Sequence, residues 1–295
     1  MDHHTRSKIS IMIFTLPAIL LFSVFIIYPL LPTLFYSFFD YNGSIAKGFV
    51  GIENYLETLQ DPVFWNSLSN VWRLMLAQYF LGGPLALLLA LILSYNSSKL
   101  NMAFKTIAFL PSILSVTVIC LLWSMIYRAD QGLLDRLLML VGKEDWIKTW
   151  LVDLSTVNWS IAAVIIWQYI GFNLILFYAG IKSIPHTFYE AAKVEGASFL
   201  QVSTKITIPL IQEIIRFVLI LITAGTMGTF AHIQVLTNGG PGDVSRSVVF
   251  HLYFKAFQLF DFGGANSITV IFAIQGFIIF ALISRFIARE RIEYT

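Results

Sequence analysis

The residues of this chain that could do chemistry are mostly neutral and sit inside long apolar blocks. One block carries Thr223, Thr226, Thr229, His232 and Gln234, a second Gln168, Tyr169 and Asn173, a third Trp123 and Tyr127. Thr226 and Thr229 stand three apart, on one helical face. Such groups offer hydrogen bonds and aromatic surfaces, and inside a membrane helix they usually face the bundle interior. Catalysis is not indicated. His232 has no acidic or cysteine neighbour in its block, His3-His4 is a terminal pair, and Cys120 stands alone. No intrachain disulfide, metal cluster or catalytic constellation is therefore expected. A plainer reading of the same residues is that Thr and Asn tie helices together through interhelical hydrogen bonds.

The elements that must position these residues are membrane helices. Hydrophobic residues make up 57% of the 295 and charged ones 12%, against about 25% charged in a soluble domain. The mean hydropathy is +0.77. Six blocks reach the roughly 20 apolar residues that a crossing needs: about 11–38, 68–93, 106–127, 159–180, 211–234 and 267–287. They are continuous rather than alternating, which excludes β-barrel strands. The expectation is an all-α membrane protein with six transmembrane helices in a single domain, 1–295. Arg6 and Lys8 precede the first block, whose apolar run far exceeds the roughly 7–15 residues of a secretory signal, so it reads as a retained span. The net charge of +2 gives no electrostatic basis for nucleic-acid binding.

Pro17, Pro29 and Pro32 in the first block, Gly82-Gly83-Pro84 in the second and Pro111 in the third should bend their helices. Leu133–Val141 is apolar but too short to span and reads as a surface helix near Trp146, Trp150 and Trp159. Lys and Arg flanking the spans, among them Arg6, Lys8, Lys182, Arg285, Arg289 and Arg291, modestly favour cytoplasmic termini.

The segment Ile184–Leu210 is too polar to span and too apolar for a solvated linker. Thr187 and Glu190 have capping-box spacing, as do Ser198 and Gln201. Ala191 and Ala192 leave a thin helix surface, Gly196 suits the left-handed turn that ends a helix, and Pro209 suits the opening of the next span. The reading is two short helices joined at a glycine.

Glu190-Ala191-Ala192, Gly196, Ile206, Ile208 and Pro209 resemble the EAA loop of permease subunits of ATP-binding-cassette importers. Ile208 stands where Leu is usual and Glu195 where Asp is frequent. Leu236-Thr237-Asn238-Gly239-Gly240-Pro241 is similar to the Thr-x-Gly-Gly-Pro loop of sugar-importer permeases like the larger maltose permease subunit, and Asp261-Phe262-Gly263 fits the same group. The resemblance implies a type I importer permease fold in a bacterial or archaeal inner membrane. It also implies four kinds of partner: membrane lipid, a second permease, two copies of an ATPase and an extracytoplasmic solute-binding protein. Glu190, Ala191, Ala192, Gly196 and Pro209 would form the cytoplasmic coupling helix and its flanks, docking on the ATPase. Asn238, Gly239, Gly240 and Pro241 would lie outside, beside the binding protein. ATP and Mg would bind the partner ATPase, since no G-x-x-x-x-G-K-[ST] loop exists here.

Sugars are held by neutral hydrogen-bonding groups and aromatic faces. On that basis Trp123, Tyr127, Gln168, Asn173, Thr226, Thr229, His232 and Gln234 are the candidate substrate pathway. A sugar phosphate or glycerol phosphodiester would call for internal Arg or Lys, and Arg73 and Arg216 lie only near span ends. An ion-coupled carrier would bury acids near the midplane, and the six blocks hold almost none.

Overall fold

The computed structural model describes residues 3–95 and 98–286; Ile287, Arg289 and Arg291 lie outside the described residues. The chain falls into two compact units, Met1–Asp61 with Leu252–Ile274, and Pro62–His251 with Gln275–Thr295.

The first unit opens with a long helix (α1, 3–36), in which a π-helical turn, Ser23–Ile27, joins His3–Phe22 to Tyr28–Tyr36. Its apolar side chains, Phe14, Phe25 and Leu31 among them, stand exposed, as a helix facing lipid or another subunit requires. A short hairpin follows, Phe39–Tyr41 (β1) antiparallel to Ala46–Phe49 (β2), then Glu53–Gln60 (α2). The Asn54 amide donates to Ser37 O (2.8 Å) and Phe39 O (3.0 Å), tying α2 to the hairpin. The hairpin departs from the all-helical expectation. Its signal is Asn42-Gly43: Gly43 takes φ +92°, and Asn42 Oδ1 accepts the Ser44 and Ile45 amides.

The second unit begins with Pro62–Tyr95 (α3), carrying a π turn at Gln78–Gly82. It continues with Lys99–Ile113 (α4), Val116–Ile126 (α5), the predicted short helix at Leu133–Leu140 (α6), and Val157–Lys182 (α7). After His186–Val194 (α8) come Phe199–Leu210 (α9), Gln212–Met227 (α10) and Ala231–Leu236 (α11). Val248–Gln258 (α12), which the block pattern does not reveal, and Phe262–Phe286 (α13) close the described chain, and their stretch Leu252–Ile274 belongs to the first unit. The core of the second unit wraps α7: Ile161, Val164 and Leu174 are fully buried, with Leu74 and Ala86 of α3, Ile119 of α5, Val218 of α10 and Ile233 of α11 around them.

Three prolines act through one device. Tyr28, Gly83 and Ile208 each donate a backbone i→i−5 bond, to Ser23, Gln78 and Ser203, and each immediately precedes a proline, Pro29, Pro84 and Pro209. A proline inside a helix has no N–H and its ring collides with the carbonyl four residues back; the wider π turn moves that carbonyl aside. These helices therefore continue through their prolines.

Among the described residues, four helices are long and apolar enough to cross a membrane, and two bent pairs bring the total to as many as six. The first bend falls in the third block, where Pro111 was expected to bend the helix, and the second at the opening of the block 211–234, where no bend was expected. The third block breaks by 102° between α4 and α5, where Leu114 and Ser115 are extended (ψ 148° and 137°). Pro111 gives up one helical bond there, and Ser112 Oγ takes the Phe109 carbonyl at 2.7 Å. In the fifth, α9 and α10 meet at 72°, so Pro209 precedes a bend rather than opening the span. α10 then stops at Met227, and α11 starts only at Ala231. The backbone freed at this second break is satisfied within the protein, Ser247 Oγ donating to Thr229 O, as irregular backbone within a membrane protein must be.

Candidate functional site

The gap between α10 and α11 opens into a cavity of about 360 Å³. Thr226, Gly228, Thr229 and His232 line it from the broken segment, Asn173 and Tyr169 from α7, Gln78 from α3 and Ser112 from α4. Of the candidate pathway residues, Asn173, Thr226, Thr229 and His232 thus share one space. Gln168 stands behind it, its Oε1 accepting from His232 Nε2 at 2.8 Å and fixing the imidazole. Two polar groups here have no protein partner among the described residues: Gln78 Oε1 is buried and unbonded, and the buried Asn173 amide makes no hydrogen bond. Buried polar groups are normally paired, so these are available to a ligand. No Lys, Arg, Asp or Glu is among the lining residues. Gln78 was not among the expected pathway residues; its signal is an amide in an apolar stretch four residues before Gly82-Gly83-Pro84.

Trp123, Tyr127 and Gln234 do not join this cavity. Trp123 packs between Tyr127 (5.1 Å between rings) and Trp167 (5.5 Å). Tyr127 and Gln234 instead line a second cavity of about 430 Å³ with Arg128, Thr149 and Asn238. Behind it runs the Gly-Gly-Pro loop. Asn238 and Gly239 are left-handed (φ +49° and +83°), and Gly240-Pro241 is cis. A Cβ on Gly239 would stand 2.8 Å from the Phe250 ring, so that position needs glycine for space as well as for φ. The loop is clamped from below: Ser245 Oγ donates to Gly240 O, the Asn66 amide to Asp243 O (2.8 Å), the Asn70 amide to Val244 O and Arg246 O, and the Asn158 amide to Val244 O (3.2 Å).

Two acids from the loops have local work. Asp153 accepts Ser155 Oγ and Ser155 N, both at 2.7 Å, and these bonds hold its carboxyl below the usual carboxylate range. Asp261 accepts the Gly264 amide at 2.8 Å at the start of α13 and pairs with Lys255 at 3.2 Å.

At the segment 181–210 the predicted helix–glycine–helix is present, with one correction. α8 starts after Pro185 without a side-chain cap. Thr187 is already inside the helix, and Glu190 accepts from or pairs with His186 Nδ1 at 3.0 Å rather than closing a capping box. The chain after Pro185 is helical two residues earlier than the Thr–Glu spacing implied. Gly196 takes φ +71°, and the bonds Ala197 N→Ala192 O (2.9 Å) and Gly196 N→Lys193 O (3.1 Å) complete a Schellman turn. Ser198 and Gln201 form the expected capping box at α9. A Cβ at Gly196 would meet nothing within 4 Å, so Gly196→Ala carries only the left-handed strain, about 1 kcal/mol. A thermal midpoint of the purified protein lowered by a few degrees, with no loss of yield, is the expected result.

This is a polytopic helical membrane subunit whose polar residues gather where a span breaks. The chain belongs to the family of binding-protein-dependent transport system inner membrane components, which matches residues 82–291. It is 35% identical over 272 residues to the probable ABC transporter permease protein YurN of Bacillus subtilis (strain 168), covering 90% of this chain and 91% of that one. It is 30% identical to the trehalose/maltose transport system permease protein MalF of Thermococcus litoralis (92% and 93% covered), and 28% identical to the lactose transport system permease protein LacF of Rhizobium radiobacter (95% and 94%). Its fold matches a chain of a bacterial alginate ABC transporter solved with an alginate-pentasaccharide-bound periplasmic protein, at TM-score 0.82 and 22% identity over 95% and 94% of the two chains.

Proposed function

We propose that this chain is the membrane-spanning permease subunit of an ATP-driven importer that carries a sugar or oligosaccharide, delivered by an extracytoplasmic binding protein, into the cytoplasm. The observation that supports the substrate class is the cavity at the break in the fifth span. It is lined by neutral donors and acceptors, two of them unpartnered, with Tyr169, Phe172 and Phe230 as apolar and aromatic wall. A saccharide needs that mixture. The alternative, a sugar phosphate or glycerol phosphodiester, has no cation to meet there. The lactose and trehalose/maltose transport named for the two relatives agrees with the first reading.

In this reading α8 is the coupling helix and faces the cytoplasm with both termini. Glu190 and Ala191 are exposed on it, and Phe188, Val194 and Leu200 present apolar surface around them, as a docking face does. A partner ATPase receives that face, two copies serve one importer, and a second permease completes the pathway against the exposed apolar helices.

The test is the ATPase activity of the purified complex, titrated with binding protein loaded with different saccharides. Stimulation by at least one is expected; silence with every saccharide rejects the substrate class. Asn173→Leu, which keeps the bulk and removes the free amide, is expected to raise the half-saturating saccharide concentration for uptake about tenfold, the effect of one lost hydrogen bond. An unaltered value removes Asn173 from the site.

A further inference from the structure

The cavity of about 430 Å³ lined by Tyr127, Arg128, Thr149, Gln234 and Asn238 has no place in the scheme above. We propose that it is a receiving subsite, which holds the saccharide before it passes to the cavity at the break in the fifth span. This rests on the sugar-importer reading and adds a second binding step to it.

Three observations carry it. First, the side chains of Arg128, Thr149, Gln234 and Asn238 make no hydrogen bond or ion pair to any described residue, although they converge on one concavity from three separate stretches of chain. A cavity of this size with a few convergent polar groups is the ordinary form of a small-molecule site. Secondly, the wall behind them is rigid. Tyr127 is buried, donates to Ser160 O at 3.3 Å and packs against Trp123 and Trp150. Asn238 is held left-handed by a loop that Asn66, Asn70, Asn158 and Ser245 clamp from behind. Thirdly, the two cavities share a partition. Positions two apart on a helix point roughly 200° apart, so α11 turns His232 to the inner cavity and Gln234 to the outer one. A short helix between a broken backbone and a left-handed turn thus offers a polar side chain on each face.

The chemistry selects a saccharide over a bare anion. Gln234 and Asn238 amides and the Thr149 hydroxyl both donate and accept, and the Arg128 guanidinium donates through a planar fork. Sugar hydroxyls donate and accept in the same way, and a vicinal pair of their oxygens can sit in the fork. An isolated anion would take only the donors and leave the acceptor half of the amides and the hydroxyl unused.

The test uses the complete importer in proteoliposomes, with its binding protein and whichever of lactose, maltose, trehalose or diacetylchitobiose stimulates wild-type ATP hydrolysis. Arg128→Ala and Gln234→Leu are each expected to raise the half-saturating saccharide concentration for uptake about tenfold, and the pair together further still. Arg128 is exposed and unpaired, so its removal leaves the fold intact. Docking of the sugar-free binding protein should keep its wild-type affinity in both variants. Wild-type half-saturation in both variants overturns the subsite and leaves the importer reading standing. Weakened docking of the sugar-free binding protein also overturns it, and makes the cavity a protein-docking surface. A wild-type complex that none of the four sugars stimulates counts against the saccharide class on which the subsite rests, and overturns the subsite with it.

Discussion

Gly171→Leu is expected to yield no folded protein from the membrane, and Gly171→Ala to lower stability by about 3 kcal/mol, at the upper end of overpacking effects. A Cβ on Gly171 of α7 would lie 1.9 Å from the Ala108 carbonyl oxygen of α4 and 2.2 Å from its carbon. The atoms in the way are backbone, so no rotamer change relieves the contact. The two helices must move apart, and the packing between Phe109 and Phe172, whose rings stack at 6.4 Å, goes with them. Close backbone approach through small residues is how membrane helices associate when lipid tails compete for every apolar contact. Thermal unfolding in detergent measures the effect. A Gly171→Ala protein with a wild-type midpoint would show that α4 and α7 do not cross this tightly. Gly180 gives an internal comparison: its Cβ would meet Ile214 Cγ1 at 2.7 Å, a side chain that can turn away, and Gly180→Ala should cost less.

The second large effect is functional. Glu190→Ala is expected to abolish saccharide-stimulated ATP hydrolysis and to cut uptake by more than tenfold, while expression and thermal midpoint stay at wild type. Among the described residues Glu190 pairs only with His186, one turn earlier, and both side chains are largely exposed. A solvent-exposed pair of this kind contributes little stability, so the fold does not depend on the carboxylate. His186→Ala breaks the same pair and serves as the control. If Glu190 acts on a partner ATPase, the histidine variant keeps coupling and the glutamate variant loses it. Equal behaviour of the two variants would reduce Glu190 to a local helix contact and remove it from the coupling assignment.

Much of the architecture follows from short-range features of the chain. The apolar blocks near 68–93 and 159–180 are helices because every residue of a span must satisfy its backbone within the span. α6 is helical where an apolar run too short to cross was recognised. In the segment 181–210, the glycine turn and the Ser198–Gln201 capping box are where spacing placed them, since both are made by atoms at most five residues apart. The Thr187–Glu190 box failed for a local reason too: α8 takes Pro185 at its N-cap, which carries Thr187 into the helix.

The sequence by itself determined that this is a helical membrane protein with a helix–glycine–helix loop, that neutral polar residues sit in its spans, and that glycine stands at 171, 196 and 239. Only the tertiary structure decided where the third and fifth spans break and which polar residues meet. Thr226, Thr229 and His232 are close in sequence, yet they share a cavity because Ser247, eighteen positions beyond Thr229, takes up the backbone freed at the break. Gln78 joins them from α3 and Asn173 from α7. Gln234, two residues from His232, faces the other way into the cavity that also receives Arg128. A polar residue in an apolar block gives no direction of its own. The direction is set by helix packing, and here by glycines such as Gly171 that allow α7 to approach its neighbours closely enough to enclose a site.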